Sequence, residues 1–175
     1  MANTRLRNVC GIALIAAAIT MTGACAVPST TTDAPAAGQA KSGPKTTGLG
    51  KSAKDGKFTF TVTKVKNGPK RIGDQYVGTT PQGKFVFVYV TVVNHGNEAQ
   101  GFSGDDQKLL AGGKEYSADS EAAVYLEDAK SLFEEINPGN KVKGIIVYDI
   151  PKSVTPTAIE LHDSAFSGGV KVALR

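Results

Sequence analysis

The chain has no tryptophan, two cysteines and two histidines among its 175 residues, and no long amphipathic helical pattern. Each shortage closes a class of function. Cys10 lies inside the apolar amino-terminal segment and leaves with it, so the mature chain keeps Cys25 alone or no cysteine, and an intramolecular disulfide is excluded. An exported domain without that staple must be held by its core, and residues 55–175 are enough to bury one. His95 and His162 have no second His, Cys or carboxylate at metal-ligand spacing, and His95 beside Gly96 reads as a turn residue. Ser103 in Gly101-Phe102-Ser103-Gly104 lacks the G-x-S-x-G spacing and the strand–turn–helix context that expose a nucleophile, so a hydrolase has no support.

A basic partner surface is also missing at this level. The net charge of +4 divides into +2 for residues 1–24, +3 for residues 25–54 and −1 for residues 55–175. The excess sits in the leader and the stretch after it, and a near-neutral domain gives no electrostatic footprint for nucleic acid.

What is present starts with an export signal: Arg5 and Arg7, an apolar segment from Val9 to Met21, then Thr22-Gly23-Ala24 before Cys25. The apolar segment is short for a membrane span, which needs ~20 apolar residues. Residues 1–24 therefore read as a signal peptide. Thr22-Gly23-Ala24-Cys25 resembles the bacterial lipobox, with Thr22 where a Leu is usual, and the resemblance implies lipidation of Cys25 and a membrane anchor. Ordinary cleavage after Ala26 also fits the small-x-small rule and releases a soluble protein. Between Ala26 and Lys54, Ala, Thr, Gly, Ser and Pro fill 21 of 29 positions without an aromatic residue, so residues 25–54 read as a disordered linker. As a coil it holds a domain roughly 30 Å from its anchor.

From Asp55 the pattern is all-β. Lys84 to Asn94 is the strongest run, with Val86, Val88, Val90 and Val92 on one face and Phe85, Phe87, Tyr89, Thr91 and Val93 on the other, so both faces are expected to be covered. Phe58, Phe60 and Val62 share a face of Lys57–Lys66, and the phase slips at Val65, which signals a bulge or the strand's end. Arg71–Val77 is poorly patterned, and Gly78–Gly83 reads as a loop. Gly112-Gly113 between two apolar runs predicts a hairpin, Ala122–Leu126 a short strand and Glu127–Ser131 a helical turn. Asn137-Pro138-Gly139-Asn140 predicts a turn before a second strong strand, Lys141–Ile150. Thr157–Leu161 and Val170–Leu174 complete seven or eight strands at the spacing of an antiparallel β-sandwich, residues 55–175.

Gly83-Lys84-Phe85-Val86 through Asn94, Lys108-Leu109 to Gly113-Lys114-Glu115-Tyr116, and Asn137-Pro138-Gly139 ahead of Val147-Tyr148-Asp149-Ile150-Pro151 resemble the telokin-like, immunoglobulin-like extracellular domain of bacterial lipoproteins. The same broad group includes a small secreted immunogenic antigen of mycobacteria. The resemblance spans Lys57 to Leu174 and implies an immunoglobulin-like sandwich, but no catalytic or binding residue. The Cys…Trp…Cys signature of true immunoglobulins is absent.

Loop carboxylates form the best polar constellation. Asp105, Asp106, Asp119 and Glu121 are candidate calcium ligands if their strand ends converge, against the plainer reading of a solvated rim, since no D-x-D-x-D loop is present. No cofactor is implied. The expected function is a membrane-anchored, non-enzymatic envelope module that binds a protein or another envelope component through Asn94–Asp106 and Ala118–Glu135. The alternatives are a carrier of a small apolar ligand and a calcium-binding sandwich.

Overall fold

The computed structural model describes residues 46–126, 129 and 135–175, all within one compact unit, Ala40–Arg175. Its strands are β1 (Thr46–Gly48), β2 (Ser52–Asp55), β3 (Phe58–Asn67), β4 (Ile72–Gly73), β5 (Gly78–Thr79), β6 (Lys84–Asn94), β7 (Gln100–Gly101), β8 (Lys108–Ala111), β9 (Lys114–Ser117), β10 (Glu135–Ile136), β11 (Lys141–Ile150), β12 (Pro156–Leu161) and β13 (Val170–Ala173). A 3-10 turn, Gly104–Asp106, and one short helix, α1 (Ser120–Val124), interrupt them. Two sheets make a β-sandwich: a five-stranded one in the order β1-β13-β12-β8-β9 and a four-stranded one in the order β11-β6-β3-β2. Every pairing is antiparallel except β1 with β13.

The valine face of β6 lies in the inter-sheet core. Val86, Val88, Val90 and Val92 pack there with Phe58, Phe60, Val62, Ile146 and Tyr148, against Leu109, Ile159, Leu161, Val170 and Val172 of the facing sheet. Phe58, Phe60 and Phe102 add edge-on and tilted ring contacts with centroids 5.9–6.1 Å apart, the spacing aromatic pairs prefer. The other face of β6 is covered as well. Phe85 and Phe87 join Val147, Ile145, Ile72, Ala122 and Ala123 in a second cluster outside the four-stranded sheet.

Within the stretch that composition marks as linker, the described residues from Thr46 on form strands. β1 needs only backbone to pair with β13, and β2 pairs with β3 while burying nothing larger than Ala53. Edge strands of this kind carry little apolar signal because the neighbour supplies the ladder. A helix also replaces the strand expected over Ala122–Leu126. The Asp119 carboxylate accepts the Ala122 N–H at 2.9 Å and caps α1, which outweighs a run too short to show a period. The helical turn expected over Glu127–Ser131 falls largely outside the described residues. The Gly112-Gly113 hairpin forms between β8 and β9, and in the Pro-Gly turn Asn140 N–H donates to Asn137 O at 3.0 Å with Gly139 at φ 77°.

Candidate functional site

The two outer faces of the sandwich differ in chemistry. On the five-stranded sheet Glu160 sits between Lys171 and Lys108 in register, a polar, solvated surface. On the four-stranded sheet the outward residues of β6 and β11 are paired Phe87 with Val147 and Tyr89 with Ile145, an apolar and aromatic surface. Most of that face is already covered: Phe85, Phe87, Ile145 and Val147 are buried in the second cluster, and Tyr89 is the ring left partly exposed.

The bulge in β3 sets what stands beside those rings. Up to Val62 the even residues of β3 point into the core, and the register then shifts between Val62 and Lys64, with Thr63 as the extra residue. Beyond the shift Val65 faces the core while Lys64 and Lys66 face outward, opposite Tyr89 and Phe87. Without the extra residue the alternation would turn both ammonium groups into the core, where an unpaired charge is prohibitive. Instead Lys64 Nζ lies 5.7 Å from the Tyr89 ring centroid, and Lys66 Nζ lies 5.9 Å from Phe87 and 5.3 Å from Tyr89, within cation–π reach.

Two walls rise over this floor. One is the β4–β5 hairpin, where Gly73 at φ 100° is required because a Cβ would meet Val77 O at 2.3 Å. Its loop is organised by Asp74, whose carboxylate accepts the Tyr76 and Val77 N–H groups at 2.8 Å while Arg71 donates to the Asp74 carbonyl. The Val77 amide, then the Tyr76 amide and the Arg71 charge, hold the Asp74 carboxyl below its usual range. The other wall is the end of α1, Val124 through Leu126. Between them lies a groove of about 700 Å³ with Ile72, Phe87, Tyr89 and Ile145 in its floor and Lys66 and Arg71 on its side. A second hollow of about 380 Å³ continues it along Tyr89, Thr91 and Lys143. Tyr76, Val77 and Val124 stand 83%, 57% and 73% exposed at the rims.

The residues singled out in the sequence are scattered. Cys25 lies outside the described residues. Asp105 accepts the Ser120 hydroxyl, Asp119 caps α1, and Asp106 lines a separate hollow with Lys108, Glu115, Glu160 and His162. Glu121 lies in the first turn of α1. Among the described residues no three His, Cys, Asp or Glu side chains gather as metal ligands would. Ser103 caps the 3-10 turn. His95 donates its backbone N–H to Lys57 O, and His162 has Glu160 at 3.5 Å from Nε2 and Ser167 Oγ at 3.4 Å from Nδ1. That line of groups looks like a proton relay, but both contacts exceed proton-transfer distance and Ser167 Oγ donates to Ser164 O at 3.0 Å. They secure the β12–β13 loop. Of the two segments expected to make contacts, Ala118–Glu135 supplies a groove wall, whereas Asn94–Asp106 contributes nothing to the groove. The hairpin wall and the outward lysines were missed; the phase slip at Val65 was the available signal.

Solved structures of several bacterial proteins share this fold. The YjhA protein of Bacillus subtilis is 16% identical, with a TM-score of 0.52 over 74% of this chain and 99% of its own. A conserved hypothetical protein from Bacillus anthracis is 20% identical, with a TM-score of 0.50 over 71% and 94%. The secreted protein MPT63 of Mycobacterium tuberculosis is 15% identical, with a TM-score of 0.57 over 77% and 98%. No curated protein matches the sequence. The model of one family, described as a domain of unknown function (DUF4352), matches residues 47–172, so the chain belongs to that family of bacterial β-sandwich domains.

Proposed function

We propose that the protein is an exported, membrane-tethered and non-enzymatic binding module of the cell envelope, of the telokin-like, immunoglobulin-like kind that its motifs resemble. Its partner docks across the outer face of the four-stranded sheet. The observation that carries this reading is the pair of apolar rims, Tyr76 and Val77 on one side and Val124 on the other, left exposed above an aromatic floor. Export is supported by the signal segment and by the likeness to a protein whose own description is "secreted". The tether is Cys25. A small-ligand carrier would need space between the sheets, and there Phe58, Phe60, Phe102 and Tyr148 pack in one core cluster.

Two measurements test this. Detergent phase partitioning places the wild-type protein in the detergent phase and Cys25→Ala in the aqueous phase, or leaves the variant as precursor, since two acyl chains suffice for stable anchoring. Aqueous wild type removes the anchor. A photo-crosslinking residue at position 76 or 124 of the full chain gives adducts in cells that the same residue at position 115, on the other sheet, does not. Equal labelling at all three positions, or none, removes the docking face.

A further inference from the structure

Resting on that docking face, we infer that the groove takes an acidic, aromatic-containing peptide segment in extended form, held along the strand direction. The reason is charge that the fold gathers and leaves uncompensated. Residues 55–175 carry a net −1, yet Lys143 and Lys64 stand at one end of the face, Lys66 and Arg71 at its middle, and Lys70 and Lys84 around the adjoining hollow of about 400 Å³. Among the described residues the ion pairs all involve Glu160 on the opposite sheet; of these six cations Arg71 alone has a carboxylate acting on it, that of Asp74, and it donates to the Asp74 carbonyl. Two carboxylates beside the band are already engaged by backbone: Asp74 with the Tyr76 and Val77 amides, Asp149 with the Gln82 and Gly83 amides at 2.6 and 3.0 Å. An anionic ligand therefore meets lysines that make no ion pair among the described residues.

The shape selects among anions. From the Thr91–Lys143 row to the Phe87–Val147 row the groove runs four residue steps along β6, roughly 13 Å at the rise of a strand. That length suits about four residues of extended chain, and a single headgroup would leave much of it empty. The hairpin and α1 stand above the floor as walls, so a chain can lie between them where a flat bilayer cannot reach the rings. Tyr89 is the partly exposed ring of the floor, and the Lys64 and Lys66 ammonium groups already lie over it. An extended peptide alternates its side chains, which lets one set meet the rings and the other the rim cations. A polymer carrying phosphate alone would use only half of that surface.

The test uses the full chain in detergent micelles and a fluorescently labelled poly(Glu,Tyr) copolymer read by anisotropy. Binding is expected to weaken as NaCl rises. It is expected to drop about tenfold in the double variant Lys64→Gln/Lys66→Gln, the size two partly desolvated charge contacts give. The charge-matched double variant Lys51→Gln/Lys114→Gln, away from the groove, is expected to bind as wild type does. Tyr89→Ala is expected to weaken poly(Glu,Tyr) while changing the weaker binding of polyglutamate little. Equal affinity for poly(Lys,Tyr), or indifference to Lys64→Gln/Lys66→Gln, overturns the inference. So does binding through the same lysines of phosphatidylglycerol vesicles or polyphosphate in place of the copolymer, which would make the occupant a membrane or a phosphate polymer. Crosslinking at positions 76 and 124 with no copolymer binding would leave the docking face standing and remove the acidic peptide alone.

Discussion

Asn94, the last residue of β6, is fully buried, and its removal is expected to cost a large part of the domain's stability. Its Nδ2 donates to Ile136 O at 2.7 Å and to Glu98 O at 2.8 Å, and its Oδ1 accepts the Gly96 N–H at 2.7 Å. Its backbone N–H donates to Asn140 O and its carbonyl accepts the Gly139 N–H, so one residue joins the end of β6, the following loop, β10 and the Pro-Gly turn. Asn94→Ala removes three side-chain bonds at about 1 kcal/mol each and leaves a buried carbonyl at Ile136, for a loss of ~3 kcal/mol. Against a total stability of roughly 5–15 kcal/mol that is a large fraction. For a domain of this length it lowers Tm by roughly 10 °C. Asn94→Asp is expected to cost at least as much, because a carboxylate faces two carbonyl oxygens that it cannot donate to. Urea unfolding followed by circular dichroism gives both values. A loss below about 1 kcal/mol for Asn94→Ala, or an Asp variant as stable as wild type, would refute the assignment of these three bonds as structural.

Val88→Asp is expected to abolish folding, since Val88 is wholly buried between the sheets and an unpaired carboxylate there costs several kcal/mol; a normal melting curve for this variant would contradict the core. Tyr148 is fully buried and its hydroxyl has no hydrogen-bond partner among the described residues, so Tyr148→Phe is expected to gain about 1 kcal/mol. Burial also pushes the Tyr148 phenol far above its ordinary 10.0, so stability does not depend on its titration below that pH and falls as pH rises above it, where only the unfolded chain ionises. Alkaline unfolding should therefore be less steep in Tyr148→Phe, and an unchanged slope would count against it. The Asp74 carboxyl is held below its ordinary 3.8, so the order it gives the β4–β5 loop is present above that pH and is lost as pH falls through the folded value. Amide exchange at Tyr76 and Val77 should accelerate in acid in the wild type, and Asp74→Asn should remove that dependence.

The all-β pattern, the central strand with two covered faces, the Gly112-Gly113 hairpin and the Pro-Gly turn were legible because period-two alternation and turn residues act locally. So was the bulge in β3, as a slip of phase at Val65. The signal segment and the anchor at Cys25 are expectations read from a linear stretch alone, and both lie outside the described residues. Other features depended on neighbours. Thr46–Gly48 becomes a strand only because β13 offers it a ladder, and Ala122–Val124 becomes helical because Asp119 caps it. The groove was hidden for the same reason. Lys64 and Lys66 sit in one strand, Phe87 and Tyr89 in the next, and Arg71 in a hairpin without clear pattern. Only pairing across the sheet, with the extra residue at Thr63, brings those cations onto those rings. A net charge of −1 over residues 55–175 concealed the arrangement, because charge sums over the chain whereas a binding face depends on which side chains the fold turns to the same side.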